Sequence, residues 1–345
     1  MAPSASAPLY QPLDPSKSQI RLLQIHRIHG PKPHQDKITY TLSTVSLHDK
    51  PKFTALSYVW GNPKITKPIT VNNHTVDVTT NLAAGLRCLV KQLAGGKDTL
   101  CSFQLWIDAI CVNQEDVTER NHQVKLMRDV YSSAEHVFAW LGIPKKQEAR
   151  KSLSRGLGVI NTVYEAIKDL SYDEFSDLSW APRCPFLTRG SLPYSSTVYG
   201  IGGWNARVAG GAVSCVEKNW LAVDELLRLP YWRRVWIVQE TAFARSLVLF
   251  CETGILHAHK LEFFGDYFGR FQKHAMESVL VRPPFIKFDC WWYMTAPDGI
   301  DYSPTDRLLI VREHAQRTGD IHRRNAPSGH SPGRCRSPRA QAVRR

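Results

Sequence analysis

The sequence lacks the short motifs that identify many enzymes and metal proteins. It has no Cys-x-x-Cys pair, no GxxxxGK[ST] phosphate loop and no GxGxxG dinucleotide fingerprint. Its eight cysteines are scattered over positions 88, 101, 111, 184, 215, 251, 290 and 335. Several of them lie inside apolar runs, where a buried free thiol is common. We therefore expect a reduced protein without a zinc site.

Long apolar runs are also missing. No stretch reaches the roughly 18 uncharged apolar residues that a membrane span needs. The start of the chain, residues 1–17, has no apolar segment of signal-peptide length. Since 43% of the 345 residues are hydrophobic, the chain can still form a substantial core. We expect a cytoplasmic globular protein.

Acidic residues are too few to balance the basic ones, and the formal net charge is +13. Residues 312–345 contain nine Arg, no Lys and two acids, so this segment alone contributes +7. It is rich in Pro, Ser and Gly and poor in large apolar side chains, which predicts disorder. Either it binds nucleic acid or a membrane surface, or it is a low-complexity terminus without function.

Between the termini, apolar strands alternate with amphipathic helices, a pattern typical of α/β proteins. We predict a parallel sheet flanked by helices, with an added β-hairpin around residues 69–78. The domain prediction is a disordered N-terminus (1–19), a folded domain (20–255) with a loop-rich insertion at about 171–215, a helical extension (256–311) and the disordered tail (312–345).

Three sequence blocks together resemble the fungal heterokaryon incompatibility (HET) domain. The first reads Phe53-Thr-Ala-Leu-Ser-Tyr-Val-Trp-Gly61. The second reads Leu105-Trp-Ile-Asp-Ala-Ile-Cys-Val-Asn-Gln114 and is followed by an amphipathic helix and by Trp140-Leu-Gly142. The third reads Tyr231-Trp-Arg-Arg-Val-Trp-Ile-Val-Gln-Glu240. The resemblance covers roughly residues 20–250.

This resemblance implies a flavodoxin-like fold similar to that of TIR domains. It also implies a role in nonself recognition, a form of fungal innate immunity in which fusion of unlike hyphae triggers programmed cell death. Self-association and contacts with other incompatibility proteins are the implied mode of action. No cofactor is implied with certainty, although NAD is a candidate substrate because some TIR relatives cleave it.

Glu240 is the candidate catalytic residue if the chain is an enzyme. TIR domains that cleave NAD carry a Trp-Cys-x-x-Glu pattern, which Trp236-Ile-Val-Gln-Glu240 resembles except that Ile237 replaces Cys. A fixed carboxylate would stabilise the oxocarbenium character that develops when the bond to nicotinamide breaks. The alternative is a Glu240 on a helix surface that pairs with Arg233 or Arg234.

Asp108 is expected within a strand spanning Leu105–Cys111, near its polar exit. It is either an acid of a ligand pocket at the carboxyl edge of the sheet or a structural acid that caps backbone N–H groups or pairs with Arg120 or Arg234. Asn113 and Gln114 follow this strand and either meet a ligand or organise the turn. Arg120 belongs either to the pocket or to a surface network with Glu119 and Gln123.

The end of the first block supplies the other pocket candidates. Ser57 occupies the place where TIR domains keep a serine that lines the nucleotide pocket. Tyr58 and Trp60 serve equally well as packing residues, and Gly61 permits a turn. His257 and His259 are spaced like metal ligands but have no further ligand nearby in sequence, so no metal site is expected.

The C-terminal part departs from the family pattern. Pro304-Thr-Asp-Arg-Leu-Leu309 is only a fragment of the expected motif, and the Arg-rich tail stands where the family has a longer variable region. Three hypotheses remain open: an incompatibility protein that signals cell death, an NAD-cleaving hydrolase that uses Glu240, and a truncated or frame-shifted inactive remnant.

Overall fold

The computed structural model describes residues 8–28, 37–93, 103–171, 215–234 and 236–264. They build one nine-stranded sheet in the order β5-β4-β2-β1-β6-β3-β7-β8-β9. The strands are β1 (Gln19–Ile28), β2 (Lys37–Ser46), β3 (Thr54–Tyr58), β4 (Thr66–Val71), β5 (His74–Thr79), β6 (Gln104–Trp106), β7 (His136–Trp140), β8 (Leu247–Cys251) and β9 (Gly254–His257).

The centre of the sheet is parallel and its flanks are mixed. β6, β3, β7 and β8 run parallel to one another, whereas β1 and β9 join this centre in antiparallel fashion. Numbered along the chain, the four parallel strands lie in the order 2-1-3-4. Every residue of β3 is buried, as expected for a central strand covered on both faces. An α/β fold is confirmed, but the sheet is mixed rather than wholly parallel.

Helices cover both faces of the parallel centre. They are α1 (Thr80–Leu93), α2 (Asp108–Cys111), α3 (Val117–Ser133), α4 (Gln147–Ile167), α5 (Cys215–Leu227) and α6 (Ile237–Ala242). α1 lies on the face that carries Trp140, because a Cβ on Gly85 would stand 3.2 Å from the ring. α3 lies on the opposite face, where Tyr131 packs edge-on against Trp106. In the described part of the chain, no helix is both long and apolar enough to cross a bilayer.

Most predicted elements are confirmed, and the exceptions have local causes. The strand expected over Leu105–Cys111 ends at Trp106, and α2 begins at Asp108, whose carboxylate accepts the Ala109 N–H at 2.8 Å. A carboxylate in the first turn of a helix is stabilised by the free N–H groups there. The third sequence block begins with a 3₁₀ turn, Pro230–Arg233, which is followed by the short α6.

Part of the range predicted as a disordered N-terminus packs on the sheet. The Tyr10 hydroxyl donates to the Ile110 carbonyl at 3.2 Å, and the Arg21 guanidinium stacks over the Tyr10 ring at 5.0 Å. Arg21 also donates to the Gln11 carbonyl at 2.6 Å. Residues 8–18 thus connect β1 with α2. The predicted insertion at 171–215, the extension beyond residue 264 and the Arg-rich tail lie almost wholly outside the described residues.

The predicted hairpin is confirmed, and Asn72 attaches it to the rest of the sheet. Asn72 and Asn73 form its two-residue turn with φ of 47° and 65°, the left-handed geometry that asparagine tolerates best after glycine. β2 and β4 pair in register only at Tyr40 and Val71. The Asn72 side chain extends this contact, because its Oδ1 accepts the Leu42 N–H at 3.0 Å and its Nδ2 donates to the Leu42 carbonyl at 3.1 Å.

We predict that Asn72→Ala lowers the free energy of unfolding by about 1–3 kcal/mol, because two hydrogen bonds to β2 are lost and a Cβ without a polar partner enters the left-handed region. Asn73→Gly is the control, with a change within about 0.5 kcal/mol, because glycine suits this turn position. Urea unfolding followed by circular dichroism measures both. Equal effects of the two substitutions would contradict the anchoring role of Asn72.

Candidate functional site

The carboxyl ends of β3 and β7 lie side by side at the centre of the sheet. The chain leaves β3 for β6 on one side, whereas β7 and β8 lie on the other, so this is a topological switch point. Open α/β sheets bind ligands in the crevice at such a point. The loops that follow these strands turn at Gly61 and Gly142, with φ of 81° and 86°. We call this side of the sheet the carboxyl edge.

Asn81 joins the two loops at the switch point. Its Nδ2 donates to the Val59 carbonyl at 2.6 Å, and its Oδ1 accepts the Trp140 indole N–H at 3.0 Å. Space here is short, because a Cβ on Gly61 would lie 3.4 Å from the Asn81 Cβ. Asn81 is not the cap of α1. The helix begins at Thr80, and the Thr79 hydroxyl accepts the Leu82 N–H at 3.4 Å.

Glu240 lies at the centre of a buried polar group beside this crevice. Arg234 binds it in bidentate fashion, with Nη1 to Oε2 and Nη2 to Oε1 both at 2.9 Å. Ser57 donates its hydroxyl to Oε2, and the Tyr231 hydroxyl lies 2.7 Å from the Ser57 Oγ. We refer to Ser57, Tyr231, Arg234 and Glu240 as the Glu240 cluster. It joins the first sequence block to the third.

The electrostatics of the cluster follow from its burial. Glu240 is only 1% exposed. Desolvation raises the pKa of Glu240, and the charge and hydrogen bonds of Arg234 offset only part of that rise. For Arg234, burial disfavours the charged form, but the facing Glu240 carboxylate holds its pKa above the ordinary value. The geometry is that of a buried ion pair whose carboxylate oxygens are both occupied.

Asp108 lies nearer to solvent, above the same arginine. Its Oδ2 accepts the Trp60 indole N–H at 2.8 Å. Desolvation raises the pKa of Asp108, while the Trp60 hydrogen bond and the charge of Arg234 act in the opposite direction. The pKa of Tyr58 is also raised, first by burial and then by Asp108. Arg234 therefore interacts with two carboxyl groups, one buried and one partly exposed.

Gln114, Asn113 and Arg120 brace the loop behind Asp108. The Gln114 Nε2 donates to the Asp108 carbonyl at 2.9 Å, and Arg120 donates to the Gln114 carbonyl at 3.2 Å. The Asn113 Oδ1 accepts the Glu115 N–H at 3.2 Å, so its side chain organises the turn. Of the residues proposed from the sequence, Asp108 and Glu240 thus lie near the same arginine. Gln114, Asn113 and Arg120 instead contact the loop backbone.

The surface network expected around Glu119 is wrong, because this side chain points inward. Its two carboxylate oxygens accept from Arg21 Nη1 at 2.6 Å and Nη2 at 2.8 Å. Asp116 caps α3, since its side chain accepts the Glu119 N–H at 3.0 Å. Gln123 likewise turns inward and donates to the Gln19 carbonyl at 2.9 Å. Val124, also on α3, is 41% exposed.

Two tryptophans stand exposed around the cluster. Trp60 is 43% exposed and Trp236 is 48% exposed, whereas Trp106, Trp140 and Trp232 are buried. Trp236 is the N-cap residue of α6 and is exposed, whereas Glu240, four residues later, is buried. We call Trp60, Asp108 and Trp236 the exposed rim. Large exposed aromatic side chains are common at the centres of protein interfaces.

Sequence reasoning missed the roles of Asn81, Tyr231 and Arg21. Each acts through a partner more than 20 residues away, and a single sequence gives no direct signal of such a pair. Tyr231 lies inside the third block, shortly before two arginines, and this position was the one sign in the sequence of its role in the cluster. His257 and His259 have ring centroids 5.7 Å apart. No group of three metal-ligand residues is found among the residues that the structure describes.

Comparison with known proteins identifies similar sequences. Residues 53–240 match the family model described as "Heterokaryon incompatibility protein (HET)". The chain is also 38% identical over 135 residues to "Heterokaryon incompatibility protein 6, OR allele" of Neurospora crassa. That match covers 37% of this chain and 19% of the relative, so the chain spans about a fifth of the relative's length. No solved structure matches.

We predict that Glu240→Ala lowers the free energy of unfolding by about 3–5 kcal/mol, because it leaves the Arg234 charge buried without its partner. Arg233→Ala is the matched control, since Arg233 is the exposed neighbour of Arg234. Its effect should stay within about 0.5 kcal/mol. Equilibrium urea unfolding of the two variants decides the matter, and similar losses in both would rule out a central role for the ion pair.

Proposed function

Because this chain belongs to the heterokaryon incompatibility (HET) family, we propose that it acts in fungal nonself recognition and signals programmed cell death through self-association and partner contacts. One observation supports this proposal more than any other. Inside the matched range 53–240, the first and third sequence blocks meet at the Glu240 cluster, and the second block joins the first at the exposed rim, where Asp108 accepts the Trp60 indole N–H. A rigid, buried polar centre below exposed aromatic side chains suits a recognition surface.

The rim is the proposed contact site for a protein partner. Trp60 is fixed by its hydrogen bond to Asp108, so little side-chain entropy is lost when a partner covers it. Asp108 supplies a partly exposed acid between aromatic surfaces. A partner with an arginine or lysine beside apolar side chains would complement this combination of acid and indole.

The proposal includes a flavodoxin-like fold of the TIR kind. The parallel strands lie in the order 2-1-3-4, which matches the first four strands of the flavodoxin order 2-1-3-4-5. The described cysteines Cys88, Cys111 and Cys251 are free thiols, which suits a reducing compartment such as the cytoplasm. The chain represents about a fifth of its relative, so activity and partners of the whole relative are not carried over.

NAD cleavage by Glu240 is the alternative, and the geometry favours it less. Both oxygens of this carboxylate are engaged by Arg234 and Ser57, and the side chain is buried. A carboxylate that stabilises an oxocarbenium ion must face the sugar, which would require Arg234 to move away. Purified protein incubated with NAD would release nicotinamide if the alternative holds, and Glu240→Gln would abolish that release.

We predict that induced expression of the chain in a fungal host arrests growth and causes uptake of a vital dye. Trp236→Ala should reduce the fraction of dying cells about tenfold, because the loss of a central interface tryptophan typically costs about 2 kcal/mol or more of binding. Val124→Ala is the control, since Val124 is similarly exposed on α3 outside the rim. It should retain full activity.

Two outcomes would overturn the proposal. The first is normal growth of cells in which the soluble protein accumulates to the level reached by a toxic relative. The second is equal toxicity of Trp236→Ala and the unmodified chain. Matched circular dichroism spectra of Trp236→Ala and the unmodified chain would show that the variant loses activity without losing its fold.

A further inference from the structure

β5 forms one edge of the sheet, far from the carboxyl-edge site in strand order. Within the described part of the chain it pairs only with β4, over six consecutive residue pairs without a bulge. The two-residue turn makes Val71 and His74 the first hydrogen-bonded pair. Hydrogen-bonded and non-hydrogen-bonded pairs alternate in antiparallel ladders. The backbone N–H and C=O groups of Thr75 and Asp77 therefore point away from β4, along the open edge.

This edge carries few of the features that normally prevent strand pairing. Proteins protect exposed edges with proline, lysine, bulges or very short strands. The sequence His74-Thr-Val-Asp-Val-Thr79 contains no proline or lysine, and its pairing with β4 has no bulge. The opposite edge, β9, is only four residues long. β5 is thus the better template for an added strand.

The side chains select one antiparallel register with a second β5. If the symmetry axis passes through Val76, Thr75 of each strand lies opposite Asp77 of the other, and a threonine hydroxyl can donate to a carboxylate. Four backbone hydrogen bonds form in this register. An axis through Asp77 would place two carboxylates directly opposite each other, which is destabilising. An axis through Val78 would place Asp77 opposite Thr79. Thr79 is the last residue before α1, so the strand ends there and cannot extend this pairing.

We propose that β5 pairs with β5 of a second copy of this chain about a two-fold axis at Val76. The interface is isologous, since each copy contributes the same strand. It is smaller than the interfaces of stable dimers, so the association is reversible and depends on concentration. This inference names a surface for the proposed self-association, but it rests on the backbone geometry of β5 and does not involve the exposed rim.

Sedimentation velocity of the full chain over an approximately hundred-fold concentration range tests the proposal. We expect a monomer–dimer equilibrium. Thr75→Asp places a carboxylate opposite Asp77 and should weaken the dimer about tenfold, whereas Thr75→Lys places an ammonium there and should strengthen it several-fold. Thr70→Asp is the matched control. Thr70 lies on β4, one strand in from the edge, and pairs with Thr75 of β5, so this substitution should leave the dissociation constant of the dimer unchanged.

Thr75→Pro supplies an independent test. It removes an outward N–H group and no hydrogen bond to β4, so the fold is retained while the dimer weakens. A chain that is monomeric at every concentration would overturn the proposal, as would a dimer that ignores the charge at position 75 and the proline. Because the assay uses purified protein, a monomer that still kills cells would refute this interface and the proposed self-association, and leave the proposed role in cell death and the contact site at the exposed rim standing.

Discussion

The buried ion pair between Glu240 and Arg234 is the interaction on which the rest of the site depends. A carboxylate and a guanidinium that are both removed from water lose several kcal/mol of solvation each, and only good geometry and additional hydrogen bonds recover it. Here the pair is bidentate, and Ser57 supplies the further donor. Because Ser57 lies on the central strand, the pair fixes α6 against the middle of the sheet. Removal of either partner leaves the other charge buried alone.

The arrangement above this pair depends on it. Arg234 is held by Glu240 and lies close enough to Asp108 to affect the pKa of that carboxyl group. Asp108 in turn holds the Trp60 indole at the surface. The three sequence blocks that mark the HET family thus form one chain of contacts from the buried core to the exposed rim. The family signature describes a packing unit as well as a surface.

The sequence alone was sufficient to predict those features whose signal lies in neighbouring residues. Apolar runs and turn residues identified the central strands and the hairpin at Asn72. It was insufficient where a partner lies far away in the chain. Glu119 reads as a surface residue of an amphipathic helix, and only the fold reveals Arg21 beneath it. Likewise, the four-residue spacing of Trp236 and Glu240 gives no sign that Trp236 is exposed while Glu240 is buried.

A double-mutant cycle on Glu240 and Arg234 tests the central claim most directly. Glu240→Leu, Arg234→Met and the double variant would be compared by equilibrium unfolding, with the coupling energy as the measured quantity. We predict a coupling energy of about 3 kcal/mol and a double variant more stable than either single variant, because an apolar pair avoids the unpaired buried charge. Additive losses, with a coupling energy within about 0.5 kcal/mol of zero, would contradict the account.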